Sequence, residues 1–227
     1  MVKILVLIMS SSNEPIYAEM KRISQIYYQL FATELTYFFM EFRDQEEEAV
    51  EDGTNLYLKG TESITPGLYL KTMKALQYVQ SNYEYDFILR TNLSSFFNFR
   101  NVLTYLSEKP TANFAGGFTV FWFTSGTCIF FSRDVGEKLT SDIRYDDNTP
   151  DDVLISRLLD EKQIPRHNLS PFEMKYYINN YQENDVKNLT DDEIQKIIFY
   201  RCKNENSREY DLLTFRDLLQ RVYYLEA

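Results

Sequence analysis

An α/β fold with a mixed, mainly parallel central sheet covered by helices is the expectation from three features of this 227-residue chain. Residues 2–9 (Val-Lys-Ile-Leu-Val-Leu-Ile-Met) are β-rich and almost wholly apolar, the pattern of a strand buried on both faces. A segment with helical spacing and a second apolar strand follow at once, which makes a βαβ opening. Further along, a short apolar run stops abruptly at polar residues in Tyr85-Asp86-Phe87-Ile88-Leu89-Arg90-Thr91-Asn92-Leu93-Ser94-Ser95-Phe96. Functional groups of α/β folds gather beyond the carboxyl ends of strands, so Arg90 to Ser95 stand where a ligand would sit.

The elements follow in order. Ser10-Ser11-Ser12-Asn13 breaks the first strand, and Ile16, Met20, Ile23, Tyr27 and Leu30 mark a helix over 16–31. Residues 35–42 read as the second strand. Residues 43–53 carry Asp44, Glu46, Glu47, Glu48, Glu51 and Asp52 and read as a hydrated loop. A short strand over 55–59, a turn at 60–63 and a helix over 68–79 come next. Beyond the strand centred on Phe87-Ile88-Leu89, Asn98 can cap a helix carrying Val102, Leu103 and Leu106. Residues 114–123 and 128–131 read as strands separated by a turn at Thr124-Ser125-Gly126-Thr127. Ser132-Arg133-Asp134 leads into a short helix, and Tyr145-Asp146-Asp147-Asn148 is a polar loop. Thr149-Pro150-Asp151-Asp152 has the form of a helix start: a cap, a first-turn proline and acids at the positive end of the helix dipole. Ile155, Leu158 and Leu159 supply that helix's apolar stripe. A last helix is expected over 214–224.

Composition bounds the function. At 44% hydrophobic, with 18 Tyr and 17 Phe and few Gly or Pro, the chain is ordered and can bury a substantial core, read as one domain over 1–227. With 34 acidic against 24 basic residues and a net charge of -10, it is not a general binder of nucleic acid or anionic lipid; a small anion on a local basic patch stays open. Residues 2–9 are too short for a membrane span or a signal peptide, and no later segment reaches membrane length. Cys128 and Cys202 have no Cys or His partner at metal spacing and read as reduced thiols.

Three segments in sequence order, 85–96, 125–139 and 150–158, resemble the core of a GT-A glycosyltransferase, most closely the beta-1,3-galactosyltransferase and fringe-like group. Glycosyltransferase-like proteins of large DNA viruses are a second neighbourhood. The resemblance covers 2–160 and leaves 161–227 as a mostly helical extension. It implies a GT-A-like sheet, a nucleoside-diphosphate sugar as donor, a carbohydrate hydroxyl as acceptor and inverting transfer. For a viral member it implies action in the host-cell cytoplasm. It also implies an Mn2+ or Mg2+ ion held by aspartates just after the strand. Those positions fall here on Asn92, Leu93 and Ser94, which offer one neutral oxygen, none, and at most a weak ligand. A metal-independent enzyme, ligands borrowed from elsewhere, and a binding protein without catalysis all remain open.

Each candidate has a plainer reading. Arg90 can pair with a diphosphate or orient an acidic neighbour; Thr91, Asn92, Ser94 and Ser95 can bond ribose or sugar hydroxyls, or simply shape a turn. Gly126 admits close backbone approach to a sugar and Ser125 can donate to a hydroxyl, or the pair is a turn before a buried strand. Ser132, Arg133 and Asp134 are read as structural. By the resemblance Asp152 is the general base and Asp151 orients the loop or contacts acceptor hydroxyls; alternatively both stabilise a helix N-terminus. Asp146 and Asp147 are the first candidates to replace the missing metal ligands. Arg201, Lys203 and Arg208 can hold a diphosphate without metal, or form surface ion pairs. His167 is read as an ordinary contact, and Trp122 as an acceptor-side ring.

Overall fold

A computed structural model describes residues 1–11, 15–144, 146–169, 174–179, 185–204 and 207–226. Ser12, Asn13 and Tyr145, named above as parts of loops, lie outside the described residues. The chain begins with β1 (Ile4–Met9), α1 (Pro15–Tyr28), a 3-10 turn (Gln29–Phe31) and β2 (Leu35–Arg43). A hairpin of β3 (Ala49–Asp52) and β4 (Asn55–Lys59) precedes α2 (Gly67–Asn82) and β5 (Phe87–Asn92). Then come β6 (Ser95–Phe97), α3 (Phe99–Ser107), β7 (Ala115–Val120), β8 (Phe123–Ser132), α4 (Arg133–Thr140) and α5 (Asp151–Glu161). The last part holds β9 (Arg166–Asn168), β10 (Met174–Asn179), a 3-10 turn (Asp185–Asn188), α6 (Asp191–Lys196), β11 (Phe199–Asn204) and α7 (Glu209–Tyr223). The expectation of a mostly helical 161–227 leaves out these three strands.

The main sheet has the order β3-β4-β2-β1-β5-β8-β7-β9. Four of its seven pairings are parallel: β1 with β2 and β5, β2 with β4, and β7 with β9. The mixed α/β sheet flanked by helices is therefore present. A second sheet, β10-β11-β6, joins the late strands to the segment just after β5.

Alternation explains why β1 is apolar at every position. Ile4, Val6 and Ile8 enter one core with Met20, Ile23 and Tyr27 of α1 and Phe215, Leu218 and Val222 of α7. Leu5, Leu7 and Met9 enter the other, with Met73, Leu76 and Val79 of α2 and Ile155, Leu158 and Leu159 of α5. Each such side chain contributes about 1.5–3 kcal/mol on burial, so a charge at fully buried Val6 would break both the strand and the layer above it. The aromatic excess is mostly core. Tyr27 stacks on Tyr223 at 5.2 Å, and Tyr28 meets Phe99 edge-on at 4.9 Å. Among the described residues no helix is long and apolar enough to cross a membrane.

Two expected loop segments contain strand residues. Within the acidic 43–53 segment residues 44–48 are loop, but Ala49–Asp52 pair their backbone as edge strand β3 while Glu51 and Asp52 stay exposed, so like charges keep their water and still protect a sheet edge. Residues 124–127 lie inside β8, and the chain reverses instead at Phe121-Trp122, with Phe121 in the left-handed region at φ 53°. Pro150, not Thr149, occupies the cap position of α5, and Asn98 caps α3 by position only, since its amide bonds the Gln195 carbonyl at 3.2 Å.

Candidate ligand-binding cleft

β1 has parallel neighbours on both sides, β2 and β5, so the connections leave it in opposite directions and a crevice opens beyond the carboxyl ends of β1 and β5. Their register sets Met9 beside Asn92. The cleft at this point encloses about 360 Å³. Its lining unites the three segments singled out in the sequence: Arg90, Asn92 and Ser94 from the first, Gly126 and Thr127 from the second, Asp151 and Asp152 from the third. Arg201, Lys203 and Arg208 close another side.

Arg90 joins the three segments. It is 3% exposed, and its guanidinium donates to the Gly126 carbonyl and to Asp151 Oδ2, binding β5 to β8 and to the first turn of α5. Of its two expected roles, orienting an acidic neighbour is the one seen. Gly126 is required by this approach, because a Cβ there would collide with the Arg90 guanidinium. Asp152 Oδ2 accepts from the Gly126 amide at 3.0 Å, and Oδ1 from the Val153 amide at 2.9 Å. Burial, and then the neighbouring Asp151 charge, push the Asp152 carboxyl above its ordinary value, against the pull of the Gly126 amide and Arg90. The result is a half-buried carboxylate that is more basic than usual and faces the cleft.

No protein-family model matches the chain, and no curated protein matches it. Among solved structures, a glycosyltransferase involved in the glycosylation of the major capsid of PBCV-1 matches with a TM-score of 0.50, over 94% of this chain and 98% of that one, at 12% sequence identity. The chain has a GT-A-like glycosyltransferase fold. At that identity the likeness speaks for the fold alone.

The divalent cation that a GT-A-like fold implies does not fit the residues here. Asn92 Oδ1, the one oxygen available at the strand end, already accepts from Arg201 Nη1 at 2.6 Å, Ser95 Oγ at 3.0 Å and Ser94 Oγ at 3.3 Å. A dication seated there would lie against a guanidinium. Among the described residues no group of three or more His, Cys, Asp or Glu could hold a metal. Asp146 and Asp147 do not replace the ligands: they line a separate cavity with Arg144 and Arg157, and Asp146 is spent on the amides of Asn148 at 2.9 Å and Thr149 at 3.1 Å.

Other expected contacts lie behind the cleft wall of the GT-A-like fold. Thr91 Oγ1 donates to the Thr127 carbonyl at 2.7 Å, Ser95 Oγ to the same carbonyl at 3.1 Å, and Ser125 Oγ shares a hydrogen with Thr127 Oγ1 at 3.1 Å. None of the three lines the cleft. Ser132 bonds Asp134 at 2.6 Å, and Arg133 caps α2 through the carbonyls of Gln80 at 3.0 Å and Tyr83 at 2.9 Å. His167 stacks on Phe114 at 5.3 Å, and Trp122 sits at the β7–β8 turn with Arg157 5.9 Å from its ring.

The sequence reading missed Ser10, Ser11, Tyr17, Glu62 and Lys71, which also line the cleft. Lys71 is 1% exposed and pairs with Glu62 at 2.5 and 2.7 Å; burial holds its ammonium below the ordinary value while Glu62 opposes the shift. Two signals were present. Ser10 and Ser11 follow β1 just as Asn92 ends β5, and Lys71 stands four residues before the buried Ala75 on the inner face of α2.

Proposed function

We propose that this protein is an inverting glycosyltransferase that moves a hexose from a nucleoside-diphosphate donor to a carbohydrate hydroxyl. One observation carries the reading: three segments far apart in sequence meet around one cleft, with a basic carboxylate, Asp152, on one side and Arg201 and Lys203 on another. In the step proposed, Asp152 takes the acceptor hydroxyl proton as that oxygen attacks the anomeric carbon. The bond from that carbon to the donor phosphate breaks, and the diphosphate leaves with the electron pair toward the cationic wall. A single displacement of this kind inverts the anomeric centre. The whole chain, 1–227, is read as one such domain, because residues of β11 and those before α7 complete the cleft.

The test is nucleoside diphosphate release from a panel of nucleoside-diphosphate sugars, with and without saccharide acceptors. Acceptor-stimulated release that Asp152→Asn abolishes is expected. Release from none of the donors, or release unchanged by Asp152→Asn, would overturn the reading. The missing carboxylates at Asn92, Leu93 and Ser94 favour a second reading, a carbohydrate- or nucleotide-binding module on the same scaffold. It expects ligand binding without donor cleavage.

A further inference from the structure

We propose that Arg201, assisted by Lys203, stands in for the divalent cation of the GT-A-like fold, so that this protein holds a donor diphosphate without metal; this rests on the donor reading above. The placement comes from the second sheet. β11 runs antiparallel to β6 with Arg201 opposite Ser95, and the Cys202 amide bonds the Ser94 carbonyl at 2.9 Å. A strand more than a hundred residues later in the chain is thereby fastened to the segment where the implied metal ligands would stand. Arg201 Nη1 reaches Asn92 Oδ1 at 2.6 Å and also donates to Ser94 Oγ, so two of the three positions that would coordinate a cation are hydrogen-bonded to a guanidinium.

The distribution of charge in the cleft agrees. Arg90 is matched by Asp151 and Lys71 by Glu62. Arg201 and Lys203, two residues apart on one strand, share a face, and both line the cleft. Lys203 is exposed and makes no ion pair among the described residues. Arg208 lines the same wall and pairs with Asp211 at 2.9 Å. A guanidinium offers N–H donors suited to phosphate oxygens, and Lys203 adds a second cationic group beside it on the same wall. Neutral Asn92 is the residue type such a site needs. An aspartate there would, without a metal, set a negative charge against the donor's phosphates.

The experiment is calorimetric titration of the full chain with inorganic pyrophosphate and with a panel of nucleoside diphosphates, in EDTA and in excess MnCl2, together with titration of MnCl2 alone. Binding in EDTA at least as tight as in excess MnCl2 is expected, since Mn2+ also complexes the ligand in solution, with a loss of about 10–100-fold in EDTA for Arg201→Gln, the scale of one charge-assisted hydrogen bond. Lys203→Gln, at an exposed position, is expected to weaken binding with the melting curve unchanged, and it decides the matter if Arg201→Gln fails to fold. Binding that appears only with Mn2+, stoichiometric binding of Mn2+ alone, or undiminished affinity in the variants would overturn the metal-free site and leave the donor reading standing. If no nucleoside diphosphate binds in either buffer, the donor reading falls and takes this inference with it.

Discussion

The Gly126 amide donates to Asp152 Oδ2 at 3.0 Å, and this one bond fixes the first turn of α5 against the middle of β8. The same glycine carbonyl accepts from Arg90, whose other nitrogen holds Asp151. One glycine therefore sets both members of the acidic pair, through its N–H and its C=O. A carboxylate oxygen has two lone-pair directions, so Asp152 keeps acceptor capacity for a substrate hydroxyl after both of its backbone bonds are made.

Asp152→Asn is expected to lower turnover by about 10²–10⁴-fold, the usual contribution of a positioned base, with a loss of stability of only about 0.5–1.5 kcal/mol. The amide oxygen can still accept from Gly126, and what is lost is the bond from the Val153 amide to the second oxygen. The acid limb of the pH–rate profile should lie above the ordinary aspartate value of 3.8, because the base works ionised and its folded value is raised. Stability has the opposite sign. Between 3.8 and the raised value the folded chain binds more protons than the unfolded one, so this group's contribution falls as pH rises through that window. Rate profiles and urea melts across the acid range, wild type against variant, check both.

Gly126→Ala is expected to destabilise the chain by about 1–3 kcal/mol, because the added methyl meets the Arg90 guanidinium in a filled interior. Arg90→Met alone is expected to be worse, by about 3–5 kcal/mol, since it strands the Asp151 carboxylate, which is itself 8% exposed. In the double variant the alanine penalty should largely vanish, as the atoms it strikes are gone. Urea denaturation of the four proteins measures the coupling; strictly additive losses would contradict the contact.

Strand ends and apolar stripes were legible because composition, period and punctuation carry them: β1, β2 and β5 follow from short apolar runs that stop at polar residues, and the buried face of α5 from helical spacing. What was not legible depends on partners. Ser125 and Gly126 look like a turn until β5 and β7 pair with β8 on either side and extend it. Glu51 and Asp52 look like loop residues because an edge strand tolerates charge. Arg201 was visible as a cation, but its bond to Asn92 requires β11 to reach β6, a pairing that no local pattern announces. Lys71 was hidden by the habit of reading lysine as surface.

Glu62→Gln is expected to destabilise the chain by about 1–3 kcal/mol at neutral pH, because it leaves the buried Lys71 ammonium without its carboxylate; the half-open position of Glu62 keeps the figure below that of a fully buried pair. The pH dependence follows from the lowered Lys71 value. Below 10.5 and above the lowered folded value the unfolded chain binds more protons, so this group's contribution to stability rises with pH through that window. Removing Glu62 lowers the folded value further and widens the window. The penalty of the variant should therefore shrink in alkaline buffer, and denaturant midpoints taken at neutral and alkaline pH test it.

Tyr223→Phe tests whether α7 holds up the site from behind. The Tyr223 hydroxyl donates to the Phe97 carbonyl at 2.7 Å and accepts from the Phe99 amide at 2.7 Å, so one oxygen satisfies the end of β6 and the start of α3. The side chain is 5% exposed, and its ring stacks on Tyr27 in the aromatic core. Losing the hydroxyl leaves two buried backbone groups unpaired, at about 1–3 kcal/mol each, with the apolar packing kept. Because β6 also carries β11, the loosening should reach Arg201 and weaken nucleoside diphosphate binding, although Tyr223 itself does not line the cleft. A lower melting temperature with unaltered affinity would mean that α7 supports the core and leaves the Arg201 wall indifferent to it.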